Sequence, residues 1–136
     1  MKKIMLSLII GAIIISGCNS EKKSTPVSSS NQKNSYTKIS QDEAKKMMEK
    51  DDGHVIVDVR REDEFASGHI PGAILIPNES IGTEKPAELP DPDQIILVYC
   101  RSGNRSAQAS QKLADIGYTN VFDFGGIMTW TGEIEK

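Results

Sequence analysis

Three short apolar runs constrain this chain more than any other feature. Val55-Ile56-Val57-Asp58-Val59, Ala73-Ile74-Leu75-Ile76 and Ile95-Ile96-Leu97-Val98-Tyr99 are nearly continuous, with little alternation of apolar and polar residues. A strand that reads this way is buried on both faces, and such strands belong to parallel sheets covered by helices. Helical segments lie between the runs. Ser40-Gln41-Asp42-Glu43 places Ser at an N-cap with Glu three residues on, the reciprocal pair that opens a helix. Ala44, Met47 and Met48 follow at helical spacing, toward an end near Asp51-Asp52-Gly53. Residues 61–67 read as a short helix closed by Gly68. Residues 106–116 read as a helix with Ala107, Ser110, Leu113 and Ala114 on one face and Gly117 as its stop. Residues 121–124 form a fourth strand, after which Gly125-Gly126 turns the chain into a terminal segment holding Trp130. Between the second and third runs, residues 78–94 carry Pro86, Pro90 and Pro92, so they hold a short helix at best, and their path is left open. The alternation predicts an α/β fold, a parallel β-sheet flanked by helices on both faces. Ligands bind beyond the carboxyl ends of such strands, the rim at which both Asp58 and Cys100 fall.

The chain has 136 residues, enough for one such domain plus extensions. The extension at the start has its own pattern. Lys2 and Lys3 precede an apolar run over residues 4–15, broken only by Ser7 and Gly11. That run is shorter than the roughly 20 residues a bilayer span needs and has the length of the apolar part of a signal peptide. It closes in Ile15-Ser16-Gly17-Cys18, which resembles a bacterial lipoprotein box. The resemblance implies that residues 1–17 are a lipoprotein signal peptide and that Cys18 receives the lipid and becomes the new N-terminus. Residues 18–36, rich in Ser, Asn and Lys without apolar periodicity, then read as the lipidated N-terminus and a flexible linker, with a mean reach of roughly 20–25 Å. The domain is expected over residues 37–136. It is expected outside the cytoplasm, anchored to the bacterial membrane through Cys18.

The net charge of −3 falls further once Lys2 and Lys3 are removed, and no basic stretch is present to neutralise phosphates. A nucleic-acid partner is therefore not expected. Two cysteines and two histidines are too few and too scattered for a four-ligand zinc site, so no metal is expected.

The chemistry points to Cys100. It stands between the third apolar run and a helix, in the loop Cys100-Arg101-Ser102-Gly103-Asn104-Arg105-Ser106. Gly103 takes positive φ freely and Asn104 tolerates it. A tight loop of this kind turns successive N–H groups inward, and these, the helix N-terminus and two arginines all favour negative charge at its centre. A cysteine held there is favoured as thiolate, the form that attacks. A buried structural cysteine would have apolar neighbours instead of these.

At this loop the chain resembles the single-domain rhodanese-type sulfurtransferases. The resemblance spans residues 37–136. It rests on Val57-Asp58-Val59-Arg60, Glu64-Phe65, Gly68-His69-Ile70-Pro71-Gly72-Ala73, Ile76-Pro77, Tyr99 through Ser106, and Gly125-Gly126 before Trp130. It implies that Cys100 takes up sulfane sulfur as a persulfide, and that the loop backbone of Ser102, Gly103 and Asn104 with Arg101 and Arg105 holds a small anionic donor such as thiosulfate. A thiol or cyanide acceptor then restores Cys100, with no organic cofactor. Ser106 is expected to support the loop. Asp58 is read as structural, hydrogen-bonding loop N–H groups or pairing with a basic residue. Glu64 and Arg60 are read as framework charges, His69 as fixing a turn, Trp130 as core and His54 as a solvated loop residue.

Other readings compete. Cysteine phosphatases and arsenate reductases of related fold use an arginine six positions after the cysteine. Here Ser106 holds that position and Arg105 comes one earlier, a shorter loop that suits sulfur better than phosphate. A thiol–disulfide enzyme needs a second thiol, which Cys100 lacks if Cys18 is lipidated. A sulfur carrier, or a sensing and binding module without high turnover, is the main alternative to the transferase.

Overall fold

The computed structural model describes residues 34–136. Five parallel strands form one sheet: β1 (Thr37–Lys38), β2 (Val55–Asp58), β3 (Ile74–Leu75), β4 (Ile95–Cys100) and β5 (Asn120–Gly126), in the order β1-β5-β4-β2-β3. The helices are α1 (Gln41–Met48), α2 (Glu62–Ser67) and α3 (Asn104–Ile116). The parallel α/β architecture is the one expected. β1 is the element the sequence did not signal. Two exposed residues on a sheet edge carry no periodicity, and only the pairing of Thr37 with Phe122 and Lys38 with Asp123 makes them a strand.

Central burial follows from alternation. Along β4, Ile96, Val98 and Cys100 face one side, where Ala109 and Leu113 of α3 cover them together with Val57, Val59, Leu89 and Tyr118. Leu97 and Tyr99 face the other side, where they meet Ala44 of α1, Ile56, Ile70 and Phe124, with Phe65 of α2 and Trp130 packed at the margin. Because both faces are covered, β4 is buried from Ile96 through Cys100, which is why its sequence is apolar throughout.

Helix ends follow local chemistry. Ser40 caps α1, its hydroxyl accepting from Glu43 N–H while the Glu43 carboxylate accepts from Ser40 N–H at 2.8 Å. α1 stops at Met48, a few residues before the predicted end. The largest difference lies at α3. Gly103, at φ 107°, is the N-cap, and the helix begins at Asn104, two residues before the predicted start. Asn104 is helical, and among the described residues no non-glycine has positive φ. Gly103 completes the reversal alone, so the loop after Cys100 is shorter than its composition implied and Arg105 sits in the first helical turn.

The proline-rich stretch forms one 3-10 turn at Asn78–Ser80 and otherwise irregular chain. It is pinned by Leu89, which is fully buried and whose carbonyl accepts from the Tyr118 hydroxyl. Thr119 N–H to Pro92 O and Asn120 Nδ2 to Asp93 O tie its far end to β5.

Candidate active site

Cys100 is the last residue of β4 and is 1% exposed. Its neighbours across the sheet are unusual. Val98 pairs with Asp123 but Cys100 with Gly126, so β5 carries one extra residue at a bulge. Gly125 makes the bulge at φ 92°, and its N–H donates to Asp123 Oδ1 at 2.9 Å. A bulge re-aims the chain beyond it. Here it brings Gly126 against the active loop, where a Cβ on Gly126 would lie 2.1 Å from Arg101 O. Only glycine lets the two backbones approach so closely.

The loop itself is held at several residues. Gly103 N–H donates to Cys100 Sγ at 2.9 Å. Ser106 Oγ donates to Gly103 O at 3.0 Å and lies 3.3 Å from Gly125 O, bridging the loop to the bulge. Met128 N–H donates to Arg101 O at 3.2 Å. The sulfur therefore sits at the foot of a thirteen-residue helix, facing an N–H and the positive end of the helix dipole.

The two arginines differ. Arg101 is exposed, and among the described residues its guanidinium has no ion pair. Arg105 is half-buried and forked onto Glu64, Nη1 to Oε2 at 2.7 Å and Nη2 to Oε1 at 2.9 Å. The hydrogen bond from Arg105 holds the Glu64 carboxyl down at about 2, against the opposing effect of burial, and Glu64 pushes Arg105 up. Arg105 was expected to hold a donor, and both its η nitrogens are already engaged. Glu64 was expected to be framework, and it reaches the active loop across 41 residues of sequence. No local signal in the sequence links them.

Asp58 departs from one expectation. It shares the rim with Cys100 but occupies the opposite face of the sheet, in register with Tyr99. Its carboxylate accepts from Arg60 N–H at 2.9 Å and from Arg60 Nε and Nη2 at 3.0 and 2.7 Å. Arg60 Nη2 continues to Gly68 O at 2.7 Å. Of the two roles open to Asp58, it pairs with a base, and the segment it braces is the β2–α2 connection, not the Cys100 loop. Burial pulls the Arg60 pKa down, and the hydrogen bonds and charge of Asp58 more than offset it. Burial, with Asp58 nearby, pushes the Tyr99 hydroxyl up. That hydroxyl accepts from Ile70 N–H at 3.1 Å.

The remaining residues lie away from the sulfur. His69 stacks on Phe65 with ring centroids 3.8 Å apart, contacts Phe65 O through Nδ1 and faces Glu135 through Nε2. Its backbone bridges Glu135 in both directions, so it fastens the C-terminal segment. Trp130 packs on Phe124, with Lys45 over its ring. His54 is not simply solvated, because its side chain is largely covered and Nδ1 lies 2.6 Å from Asp52 Oδ1. Cys18 and residues 1–33 lie outside the described residues.

Among the described residues the one thiol of this parallel α/β domain stands at a strand-to-helix loop, with a glycine cap and a helix N-terminus behind it. Residues 40–133 match the rhodanese-like domain, and the chain belongs to that family. It is 35% identical to the thiosulfate sulfurtransferase PspE of Escherichia coli over 71 residues, which cover 52% of this chain and 68% of that protein. It is 40% identical to a sulfurtransferase of Allochromatium vinosum over 77 residues, 56% of this chain and 70% of that one. An adenylyltransferase and sulfurtransferase of Meyerozyma guilliermondii is 37% identical over 91 residues, but the chain spans only 21% of its length. Among solved structures, an Escherichia coli rhodanese with anions matches at a TM-score of 0.56 and 33% identity, covering 61% of this chain and 98% of that one. A rhodanese-like domain protein of Staphylococcus aureus matches at 0.61 and 34%, covering 73% and 96%.

Proposed function

We propose that this domain transfers sulfane sulfur from thiosulfate, or a similar small anionic donor, to cyanide or a thiol through a persulfide on Cys100. The observation that supports it most is the 2.9 Å contact from Gly103 N–H to Cys100 Sγ at the foot of α3. The Cys100 thiolate attacks the outer sulfur of the donor. A new S–S bond forms to Cys100, the sulfur–sulfur bond of thiosulfate breaks, and its electron pair leaves with sulfite. The persulfide anion keeps the one negative charge that the thiolate had, so the same N–H and helix dipole stabilise both ends of the step. Cyanide or a thiolate then attacks the outer persulfide sulfur and Cys100 leaves as thiolate. Arg101, exposed and without an ion pair among the described residues, draws the anion to the rim. Because Cys100 is so deeply covered, only the slender sulfane end of a donor reaches it.

We propose further that the domain works outside the cytoplasm on a lipid anchor at Cys18, which the sequence Ile15-Ser16-Gly17-Cys18 supports. Labelled palmitate is expected in the wild-type protein and not in Cys18→Ala. Equal labelling of the two would overturn the anchor.

The test of the transfer is intact mass. Full-length protein treated with thiosulfate and desalted should gain one sulfur atom, and cyanide should remove it as thiocyanate. A protein that never gains the sulfur overturns the reading. One that gains it but turns over only once per molecule is a sulfur carrier.

A further inference from the structure

Glu64 is held at the active rim twice. Its Oε2 accepts from Arg61 N–H at 3.0 Å, the backbone group that opens α2. The same carboxylate forks onto Arg105. The first contact ties Glu64 to its own helix, so its position does not depend on Arg105. A carboxylate pinned by a backbone donor is a fixed negative charge. It meets the guanidinium of a residue in the first turn of α3, five positions after the nucleophile. Glu79 on the 3-10 turn also raises the Arg105 pKa, but the hydrogen bond from Arg105 to Glu64 dominates. Arg101, the other cation of the loop, has no such partner among the described residues.

We infer that Glu64 is a positioning residue that sets anion affinity at Cys100: by occupying Arg105 it leaves the cradle one unengaged arginine and keeps oxyanions weakly held. The inference rests on the sulfur-transfer reading for its meaning. In that reaction the donor enters as an anion and sulfite leaves as one, from a site that must keep a negative persulfide. A cradle with two free arginines, a helix dipole and a loop N–H would retain the leaving anion and any bystander sulfate or phosphate. Interactions equally strong for entering and leaving anions lower KM without raising kcat. Glu64 moves the balance toward release.

The experiment measures sulfate binding to the reduced full-length protein by calorimetry, which needs no sulfur transfer. Glu64→Gln keeps the shape and an acceptor for the guanidinium but removes the charge. Sulfate should bind about tenfold tighter than to wild type, the scale expected for removing one screened charge at the protein surface. In steady state the same variant should show a lower KM for thiosulfate, stronger inhibition by sulfite, and a kcat that does not rise. Glu64→Asp, which retains the charge, should bind sulfate within about twofold of wild type. Adding Arg105→Gln to Glu64→Gln should erase the tightening. Unchanged or weaker sulfate binding in Glu64→Gln overturns the inference, as does equal tightening in Glu64→Asp. If wild-type protein binds sulfate and responds to Glu64→Gln but never gains sulfur from thiosulfate, the transfer reading fails while the charge role stands.

Discussion

Two arginine clusters share the carboxyl rim of the sheet, and they are opposites. At the end of β2, Asp58 and Arg60 are 0% and 5% exposed and satisfy each other through three hydrogen bonds. At the end of β4, Cys100 is as deeply buried, yet its loop presents the exposed Arg101 and the half-buried Arg105. The first cluster encloses its charge on the α1 and α2 face. The second lies where β4 hands over to α3, and there Arg101 reaches the surface. Charge at a strand end is therefore not by itself a mark of chemistry. What matters is whether the charge is already answered from within the protein.

This contrast can be broken from either side. The largest effect is expected from Cys100→Ser. A hydroxyl at this site cannot carry a persulfide, so sulfur uptake in the mass assay and thiocyanate formation should fall by about a thousandfold or more, with folding intact by circular dichroism. Residual turnover near wild type would move the chemistry elsewhere.

The closed cluster should respond in stability. Asp58→Ala leaves the guanidinium of Arg60 buried without its partner, and breaking one member of such a pair costs about 3–5 kcal/mol. Urea unfolding should show that loss, whereas activity per folded molecule should change little. A loss below about 1 kcal/mol would mean that water reaches Arg60.

The Glu64–Arg105 pair belongs to both regions and should show in acid. The Glu64 carboxyl is lowered to about 2 in the folded protein, chiefly by the hydrogen bond from Arg105. Its contribution is then present above the unfolded value near 4.5 and is lost as pH falls from there toward 2, because the unfolded chain binds the proton first. Solvent screening at this rim reduces the contribution to about 1–2 kcal/mol. Urea midpoints for wild type and Glu64→Gln should converge as pH drops through that window. Parallel curves would show that the pair adds nothing to stability.

The smallest structural effect is expected from Arg101→Ala. Exposed and unpaired among the described residues, this side chain should matter to stability by no more than about 0.5 kcal/mol. KM for thiosulfate should rise about tenfold, the scale of one screened charge contact, with a smaller change in kcat. A fall in kcat with KM unchanged would make Arg101 part of the chemical step.

The family resemblance and the parallel α/β class were legible in the sequence because burial on both faces writes itself into every residue of a central strand, as in β2 and β4. Cys100 was legible for the opposite reason: polar and glycine residues follow an apolar run where a core cysteine would have apolar neighbours. The capping of α1 could be read because Ser40 and Glu43 are three residues apart. Local periodicity could not show β1, whose two residues become a strand only against β5, or the bulge at Gly125, which exists only by comparing two strands.

The sequence by itself determined the central strands, the helices and the place of Cys100 at a strand-to-helix loop, since these depend on neighbours within one turn or one strand. The tertiary structure decided how charge is shared. Glu64 lies 41 residues from Arg105, and the sheet puts Asp58 on the face opposite Cys100, in register with Tyr99. Ion pairs at a sheet rim are set by which faces the strands present and where separate helices begin. These are properties of the packed chain, and no local pattern encodes them.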